Sequence, residues 1–473
     1  MNKWPSACAA VLLAGCAVGP DYHRPPLDMP GQYRDAGAAA PGAAAAGPGN
    51  AASLGDSGWW EVYSDPDLQA LLNTAIKKNY DVRIAAARIE QARAQLGSTR
   101  MNFLPQLSVQ AGAGRVKSSA YVLTPGAGRI NDEAQVQFLA SYQLDLWGQL
   151  RRMTEAARAN LFASQFAARA VHVTLVATVA NDYFELIALD SQLAITHLTV
   201  TAREKFLDLT HAQHDRGYAT GLDVATAEAD LAAARAAVPD LTRQISQTED
   251  QISVLLGMNP GPITRQHYGD SVPAAPPQPP SGLPAQLLER RPDIAQAEQN
   301  LVAANAGIGV AKAALFPNIS LTGSSGSLSV PFSNLFTAPA AEWGVGVGLI
   351  QPLLSVQSNL YQVDLADARK REALAQYQKT VQAAFQDVAD ALIAYRTYGE
   401  QVREQAVQVD ALRRAHAIAL ARYRIGYASY FDVIQADRDL FAAELALAQA
   451  YENNLSALVH LYSSLGGGWQ ERH

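Results

Sequence analysis

Apolar residues recur every seven positions along two long stretches of this chain. The first series is Val179, Leu186, Leu193, Val200 and Leu207. The second series is Val381, Val388, Tyr395, Val402 and Val409. A strict seven-residue repeat is typical of α-helices that pack lengthwise in a left-handed supercoil. The pattern predicts long helices over 149–215 and 356–425, followed by further helices over 220–257 and 430–465.

The predicted helices are too long for a globular core. At 1.5 Å per residue, the 67 residues from 149 to 215 extend for about 100 Å. The faces between the heptad positions are rich in alanine, which lets helices approach closely but leaves little bulk to fill a solid core. Two arrangements satisfy this pattern: a pair of ordinary antiparallel coiled coils, or a curved wall of helices around a channel.

Segments in which apolar and polar residues alternate precede each long helix. The alternation is clearest over 135–146, before Trp147, and over 343–349, where every second residue is glycine. Shorter segments at 107–111 and 319–321 predict a partner strand in each half. Strands of outer-membrane barrels have this alternation and flanking aromatic residues, but half-buried sheets of soluble proteins alternate too. Uncharged helical runs of 18 residues are lacking, so any membrane span is predicted to consist of strands.

Four strands are too few to enclose a lumen. An open sheet edge is not stable in lipid, so a membrane barrel built from this chain requires strands from several copies. Three chains would supply twelve strands and two chains would supply eight. The alternation alone does not choose between these numbers.

The chain contains two copies of one unit. Residues 217–234 and 426–443 share 10 identities in 18 positions, at an offset of 209. Earlier in each copy, 100–108 (RMNFLPQLS) parallels 312–320 (KAALFPNIS). Self-similarity at this distance indicates a duplicated architecture of about 210 residues rather than a small solenoid repeat.

The N-terminus has the composition of an export signal. Lys3 supplies a positive charge, Ala7 to Ala14 is apolar, and Leu13-Ala14-Gly15 forms a small-residue cleavage site before Cys16. A cysteine after Leu-Ala-Gly resembles the lipobox of bacterial lipoproteins, in which this residue is acylated. We predict lipidation of Cys16, since several acyl chains anchor a protein stably where one does not. The alternative is an ordinary signal whose cysteine is incidental; Ala17, in place of aspartate, fits outer-membrane sorting.

The amino-acid composition predicts where the folded repeats begin and end. Residues 17–58 are rich in Ala, Gly and Pro, which predicts an extended tether or a surface strap rather than a folded domain. The predicted organisation is a signal peptide at 1–15, a lipidated tether at 16–58, a first repeat at 59–257, a proline-rich linker or equatorial segment at 258–284, a second repeat at 285–465 and a tail at 466–473.

Charge and candidate chemistry exclude several classes of protein. The 37 Lys and Arg residues against 44 Asp and Glu residues give a net charge of −7, which argues against a nucleic-acid partner. Two cysteines, both within the first 16 residues, exclude a disulfide scaffold. His211 and His214 lack a third ligand nearby, and we expect them to face solvent. The sequence has no recognisable catalytic set, so we expect neither an enzyme, nor a metal site, nor a cofactor.

Motifs along nearly the whole chain resemble the TolC-type outer-membrane efflux factors, in the NodT-like lipoprotein branch that partners resistance-nodulation-division pumps. The motifs are Gly19-Pro20-Asp21-Tyr22, Trp59-Trp60, Asp65-Pro66, Asn79-x-Asp81, Leu288-Glu289-Arg290-Arg291-Pro292-Asp293-Ile294, Ala303-Ala304-Asn305-Ala306 and Phe316-Pro317. The resemblance implies a mainly α-helical chain with a membrane β-barrel. It also implies a homotrimer with twelve barrel strands on a long periplasmic helical tube, anchored in the bacterial outer membrane. In such a system a periplasmic adaptor and an inner-membrane pump are the partners, and the duct is passive.

The same resemblance suggests where a gate lies. By resemblance, Asp432 belongs to the ring that constricts the channel, with Gln435 one turn further; a ring of carboxylates selects for cations. Asp223 and Asp432 also suit helix N-termini, where a carboxylate offsets the macrodipole, and both roles can coexist. We predict that Asp223, Tyr423 and Arg424 tie the two helical hairpins together in the closed state. The predicted adaptor contacts are the shallow grooves at Gly217, Thr220 and Gly426.

Two other classes of protein share part of this pattern. A lipid-anchored coiled-coil protein, such as the adaptor itself, would have strands that never enter lipid, and a lipoprotein enzyme is a third class. The alternation at 135–146 and the duplicated order of strands and long helices favour the channel. The sequence does not distinguish drugs, dyes, organic acids and metal ions as cargo.

Overall fold

The computed structural model describes residues 17–27, 53–63, 65–117, 119, 121, 130–265, 287–330 and 332–469. Cys16, the predicted lipidation site, lies outside these residues, as do most of the linker at 258–284 and the last four residues of the tail. A short 3-10 helix, Leu54–Asp56, forms within the segment predicted as a tether, because Ser53 and Asp56 make a capping box.

Nine α-helices and four β-strands make up the described part of the chain. The helices are α1 (Trp59–Val62), α2 (Pro66–Lys78), α3 (Tyr80–Met101), α4 (Gln149–His214), α5 (Gly221–Leu255), α6 (Leu287–Arg290), α7 (Pro292–Ala313), α8 (Val356–Arg424) and α9 (Tyr430–Ser464). The strands are β1 (Gln106–Lys117), β2 (Ile130–Leu144), β3 (Asn318–Ser329) and β4 (Ala341–Ile350).

The helical segment that precedes the first strand is divided in two. Asn79 separates α2 from α3, because its backbone leaves the helical region and its side-chain oxygen accepts hydrogen bonds from the N–H groups of Asp81 and Val82. The asparagine thus ends one helix and caps the next. The corresponding break in the second copy lies before Pro292, where proline disfavours a helical residue in front of it.

The four strands form one antiparallel sheet in the order β1-β2-β3-β4. Its register places most of the apolar side chains of the four strands on one face, as in the cross-strand pairs Val109 with Phe138 and Leu321 with Val347. The other face carries mainly Gln, Ser, Thr and Gly, and Ser324 pairs there with Gly344. The strand predicted over 135–146 starts five residues earlier and ends two residues earlier.

The apolar face of this sheet is exposed in the isolated chain. Trp343, Val345 and Val347 are 78%, 81% and 71% exposed. Large contiguous apolar surfaces of this kind mark contact with lipid or with another protein. Within the chain, β1 and β4 are edge strands, each paired on one side only.

The chain divides into two compact units, which cut across the two sequence repeats. The first contains the four strands and the described residues within 17–26, 88–165 and 296–378. The second contains the described residues within 27–87, 166–295 and 379–469.

An N-terminal strap, residues 17–24, is bound along the first unit. Its Val18 N–H donates to the carbonyl of Trp147, and Asp21 pairs with the buried Arg152 at 2.8 Å. Further along, the Arg24 guanidinium and the Tyr22 hydroxyl both donate to the carboxylate of Glu298. Between these contacts the strap crosses α7 so closely that a Cβ atom on Gly19 would lie 2.5 Å from the Cα atom of Gly309.

The second unit has the main hydrophobic core. The heptad residues Val179 and Leu186 of α4 are fully buried there, together with Leu68 and Leu72 of α2. Tyr183 adds a hydrogen bond of 2.8 Å from its hydroxyl to Asp65. The second heptad series, from Val381 to Val409, is also buried throughout, so the seven-residue pattern marks packed helix faces in both copies.

Among the described residues, one helix is apolar and long enough to cross a membrane by composition. A window of 18 residues in α4 has a mean hydropathy of 1.2 and is 22% buried. One such helix is weak evidence for a membrane span, since helices that supply a protein core meet the same criterion.

The carboxyl group of Asp182, on α4 in the second unit, has a raised pKa. Burial, with a smaller contribution from the neighbouring charge of Glu185, raises the pKa of Asp182 from 3.8 to about 6. Burial likewise raises the pKa of Glu452 on α9, with Glu185 again adding to the shift.

We expect Asp182→Asn to increase stability at neutral pH. The folded state binds the Asp182 proton more tightly than the unfolded state, so this carboxyl destabilises the fold as pH rises from about 4 to about 6. The difference between variant and wild type should reach about 2–3 kcal/mol at pH 7 and vanish near pH 4. Thermal unfolding in detergent between pH 4 and pH 7 measures it, and a pH-independent difference would contradict the prediction.

Candidate channel gate at the helix turns

Two turns of nearly identical geometry join the long helices of the second unit. The α4–α5 turn has Gly217 at φ 76°, and the α8–α9 turn has Gly426 at φ 80°. This left-handed conformation favours glycine and ends each long helix with a backbone hydrogen bond from the next residue, Tyr218 or Tyr427, back to the helix. Both glycines face open space, since a Cβ atom at either would meet no atom within 4 Å.

The two predicted carboxylates cap the helices that follow these turns. Thr220 and Asp223 form a capping box at the start of α5, and Ser429 and Asp432 form the same box at the start of α9. In each box the carboxylate accepts hydrogen bonds from the backbone N–H and the hydroxyl of the capping residue, at 2.7–2.9 Å. These hydrogen bonds hold the pKa of Asp432 below its usual value, so it is ionised at neutral pH.

An aromatic cluster joins the two hairpins, α4–α5 and α8–α9, behind the turns. Phe206 of α4 stacks on Tyr430 of α9 at 5.4 Å between ring centroids, and Tyr423 of α8 lies within 6.2 Å of both rings. The Tyr423 hydroxyl also donates to the side-chain oxygen of Gln213 on α4. Burial raises the pKa values of Tyr423 and Tyr430, so both phenols stay neutral.

The predicted gate residues therefore have different surroundings in this structure. Tyr423 bridges the hairpins, whereas the side-chain hydrogen bonds of Asp223 stay within its own capping box. Arg424 is exposed at the end of α8. Gln435 donates to Asp439 on the same helix at 2.9 Å. The assignment of these residues to a gate stays a prediction.

Sequence reasoning missed the partners that hold the hairpins together. Gln213 and Phe206 lie in the heptad-rich part of α4 and have no motif of their own. Four charged residues further from the turns also cross between hairpins; they are Arg203, Asp230, Asp437 and Arg438. Asp230 and its counterpart Asp439 are identical in the two copies of the repeat. This identity was the one sequence signal that could have pointed to these contacts.

The side chains at the turns make structural contacts. His211 and His214 are both exposed, and His214 contacts the carbonyl of Ala219. Groups of three or more metal-ligating side chains do not occur in the described ranges. The turns present a pair of carboxylates at exposed helix starts, next to a junction where other contacts join the two hairpins.

Comparison with known proteins gives the family. A sequence model of the outer membrane efflux proteins matches residues 71–258 and 283–467. This chain belongs to the outer membrane efflux protein family. The two matched ranges correspond to the two copies of the repeat.

Individual members of the family align over almost the full length. The probable efflux pump outer membrane protein TtgC of Pseudomonas putida is 34% identical over 468 residues, which cover 98% of this chain and 95% of that protein. The cation efflux system protein CusC of Escherichia coli is 32% identical over 466 residues, 98% of each. The solved structure of the outer-membrane channel OprN has a TM-score of 0.86 and 31% identity, covering 96% of this chain and 100% of its own.

These comparisons confirm the predicted family, fold class and compartment. The chain is an outer membrane efflux protein with long helices and a small membrane sheet. The family is one of transport proteins, and its relatives are outer-membrane components of efflux pumps.

Proposed function

We propose that three copies of this chain form a passive exit duct through the outer membrane. The apolar face of the sheet, with Val345 at 81% exposure, carries this proposal because such a face is stable against lipid but not in water. Lateral pairing of β1 of one copy with β4 of the next would leave no open sheet edge. Three copies supply twelve strands around the polar face, and the helices continue the duct as a periplasmic tube.

The duct is proposed to have no enzymatic activity and to depend on partners for energy. An inner-membrane pump would supply the cargo through a periplasmic adaptor. The adaptor would dock at the exposed turns, where Gly217, Thr220 and Gly426 leave room for a helical hairpin. Acylation of Cys16 would anchor the N-terminus in the outer membrane.

Channel formation tests the duct directly. Purified wild-type protein, reconstituted in planar bilayers, should produce discrete ion conductance and migrate as a heat-modifiable oligomer on gels. A protein that stays monomeric and never conducts would favour the alternative class, a lipid-anchored coiled-coil protein.

Replacing Asp432 by alanine should open the proposed gate to ions. The three symmetry-related carboxylates would form a narrow acidic ring, so their removal should raise the single-channel conductance and lower the preference for cations. We expect a change of about twofold or more in the permeability ratio of cations to anions, measured from reversal potentials in a salt gradient.

Two further variants separate the ring from the capping role of the carboxylate. Asp223→Ala removes the same capping box in the other hairpin, and should leave the ion preference unchanged. Gln435→Asp adds a carboxylate one turn further along α9, and should strengthen the preference for cations. Equal ion preferences in wild type and Asp432→Ala would exclude Asp432 from the constriction.

A further inference from the structure

Two ion pairs of opposite polarity connect the hairpins behind the turns. Nε and Nη2 of Arg438 on α9 donate to one carboxylate oxygen of Asp230 on α5, at 2.8 and 2.6 Å. Nε of Arg203 on α4 donates to Asp437 on α9 at 2.8 Å. Each hairpin thus contributes one arginine and one aspartate. A hydrogen bond of 2.7 Å from Arg203 to the backbone carbonyl of Asp230 joins the two pairs into one network.

The centre of this network is buried. Arg203 is 8% exposed and Asp230 is 7% exposed, and the Arg203 guanidinium also lies 5.3 Å from the ring centroid of Phe441. Separating a buried ion pair without solvation leaves uncompensated charges in a medium of low dielectric constant, which is strongly unfavourable. The hairpins therefore resist small displacements at this level, which lies roughly two helical turns from the start of α5 and of α9.

A small cavity with a mainly apolar lining lies beside the network, between the same four helices. Its volume is about 80 Å³, and its lining includes Arg203, Asp230, Tyr430 and Asp437. The second carboxylate oxygen of Asp230 and the hydroxyl of Tyr430 are buried without a hydrogen-bond partner in the described part of the chain. Both groups would gain water partners if the hairpins parted, and this gain offsets part of the cost of separating the charges.

We infer that Arg203, Asp230, Asp437 and Arg438, the charge quartet, form a second lock that holds the two hairpins closed behind the turns. The inference rests on the proposed function, since it concerns the same gate. The quartet differs from the predicted ring at Asp432 in its role: the ring sets which ions pass, whereas the quartet sets how often the hairpins separate. An adaptor opens the duct by stabilising the separated hairpins, in which the quartet is hydrated.

Neutralising the quartet should open the channel without an adaptor. We expect Arg438→Gln and Asp437→Asn each to raise the open fraction in planar bilayers by about tenfold, equivalent to about 1.4 kcal/mol. The ion preference should stay that of wild type, because Asp432 is unchanged. The double variant Asp230→Arg with Arg438→Asp reverses the polarity of one pair and should restore a low open fraction.

Matched controls come from ion pairs within single hairpins. Arg235 pairs with Glu204 between α4 and α5, and Arg413 pairs with Glu444 between α8 and α9, at 2.7 and 2.8 Å. Arg235→Gln and Arg413→Gln remove the same charge but connect no second hairpin, so their open fractions should equal that of wild type.

Each outcome of this experiment has a defined meaning. If the quartet variants form normal oligomers on gels and have the open fraction of wild type, the lock is contradicted. The proposal that the chain forms a duct would be unaffected. Equal increases in the control variants would also overturn the lock, since any loss of charge would then suffice. A wild-type protein that forms no channel would instead overturn the proposed function. If the single variants fail to assemble, the double variant Asp230→Arg with Arg438→Asp provides the test. A high open fraction of this variant, once assembled, would contradict the lock.

Discussion

An arginine in place of Val345 is expected to prevent the chain from entering a lipid bilayer. Val345 lies in β4, an edge strand of the described sheet, on the face that carries most of the apolar side chains of the four strands. An arginine on the lipid side of a barrel costs about 2–4 kcal/mol near the bilayer midplane. A trimer would incur this cost three times. Folding into lipid vesicles, followed by the heat-modifiable gel shift, measures the loss.

The matched variant places the same charge on the opposite face of the sheet. Ser324 pairs with Gly344, whose missing side chain leaves room beside it. Ser324→Arg should insert nearly as well as wild type, because this face would line an aqueous lumen. Similar insertion of both variants would show that the apolar face does not contact lipid.

Replacing Arg265 by methionine should strongly destabilise the second unit. Arg265 is 7% exposed at its side chain and pairs with Asp190 of α4 and Glu249 of α5, at 2.5 and 2.6 Å. Arg265→Met would leave two largely buried carboxylates unpaired and close together. Breaking a buried pair from one side costs about 3–5 kcal/mol. Denaturant unfolding in detergent gives the change in free energy, and limited proteolysis within 256–265 reports release of the segment.

Arg243 forms a comparable but exposed ion pair within α5. It contacts Asp240 three residues earlier, and both side chains are more than half exposed. Arg243→Gln should change the free energy of unfolding by about 0.5 kcal/mol or less. A similar small effect for Arg265→Met would mean that the Arg265 cluster is solvated in the assembled protein.

Periodic features of this fold were predictable because one physical cause acts at many positions. Each heptad position, such as Val179 or Val388, is apolar for the same reason, namely burial against a neighbouring helix. The alternation in β2 and β4 has an equally uniform cause in the two faces of the sheet. Because the unit is duplicated, each pattern occurs twice in the sequence and can be checked in both copies. The turns at Gly217 and Gly426 match in conformation as well as in sequence.

Single contacts were not predictable in this way. Arg203 aligns with Leu412 in the second copy, and Arg438 aligns with Ala229 in the first. Both arginines of the charge quartet therefore lie at positions where the copies differ, and a search for repeated residues finds only Asp230. Asn79 was missed for a related reason, because a single asparagine in a helical pattern signals a cap only when the chain around it is seen to bend.

The N-terminal strap has a consequence for any acyl chain on the residue before it. Ala17 lies against Gly148, and Val18 is hydrogen-bonded to Trp147, directly after β2. Asp21 and Arg24 fasten the following residues to α4 and α7. A lipid on the preceding residue would thus be attached next to the end of β2 and not at the end of a flexible tether. It would set the depth at which each subunit lies in the membrane leaflet.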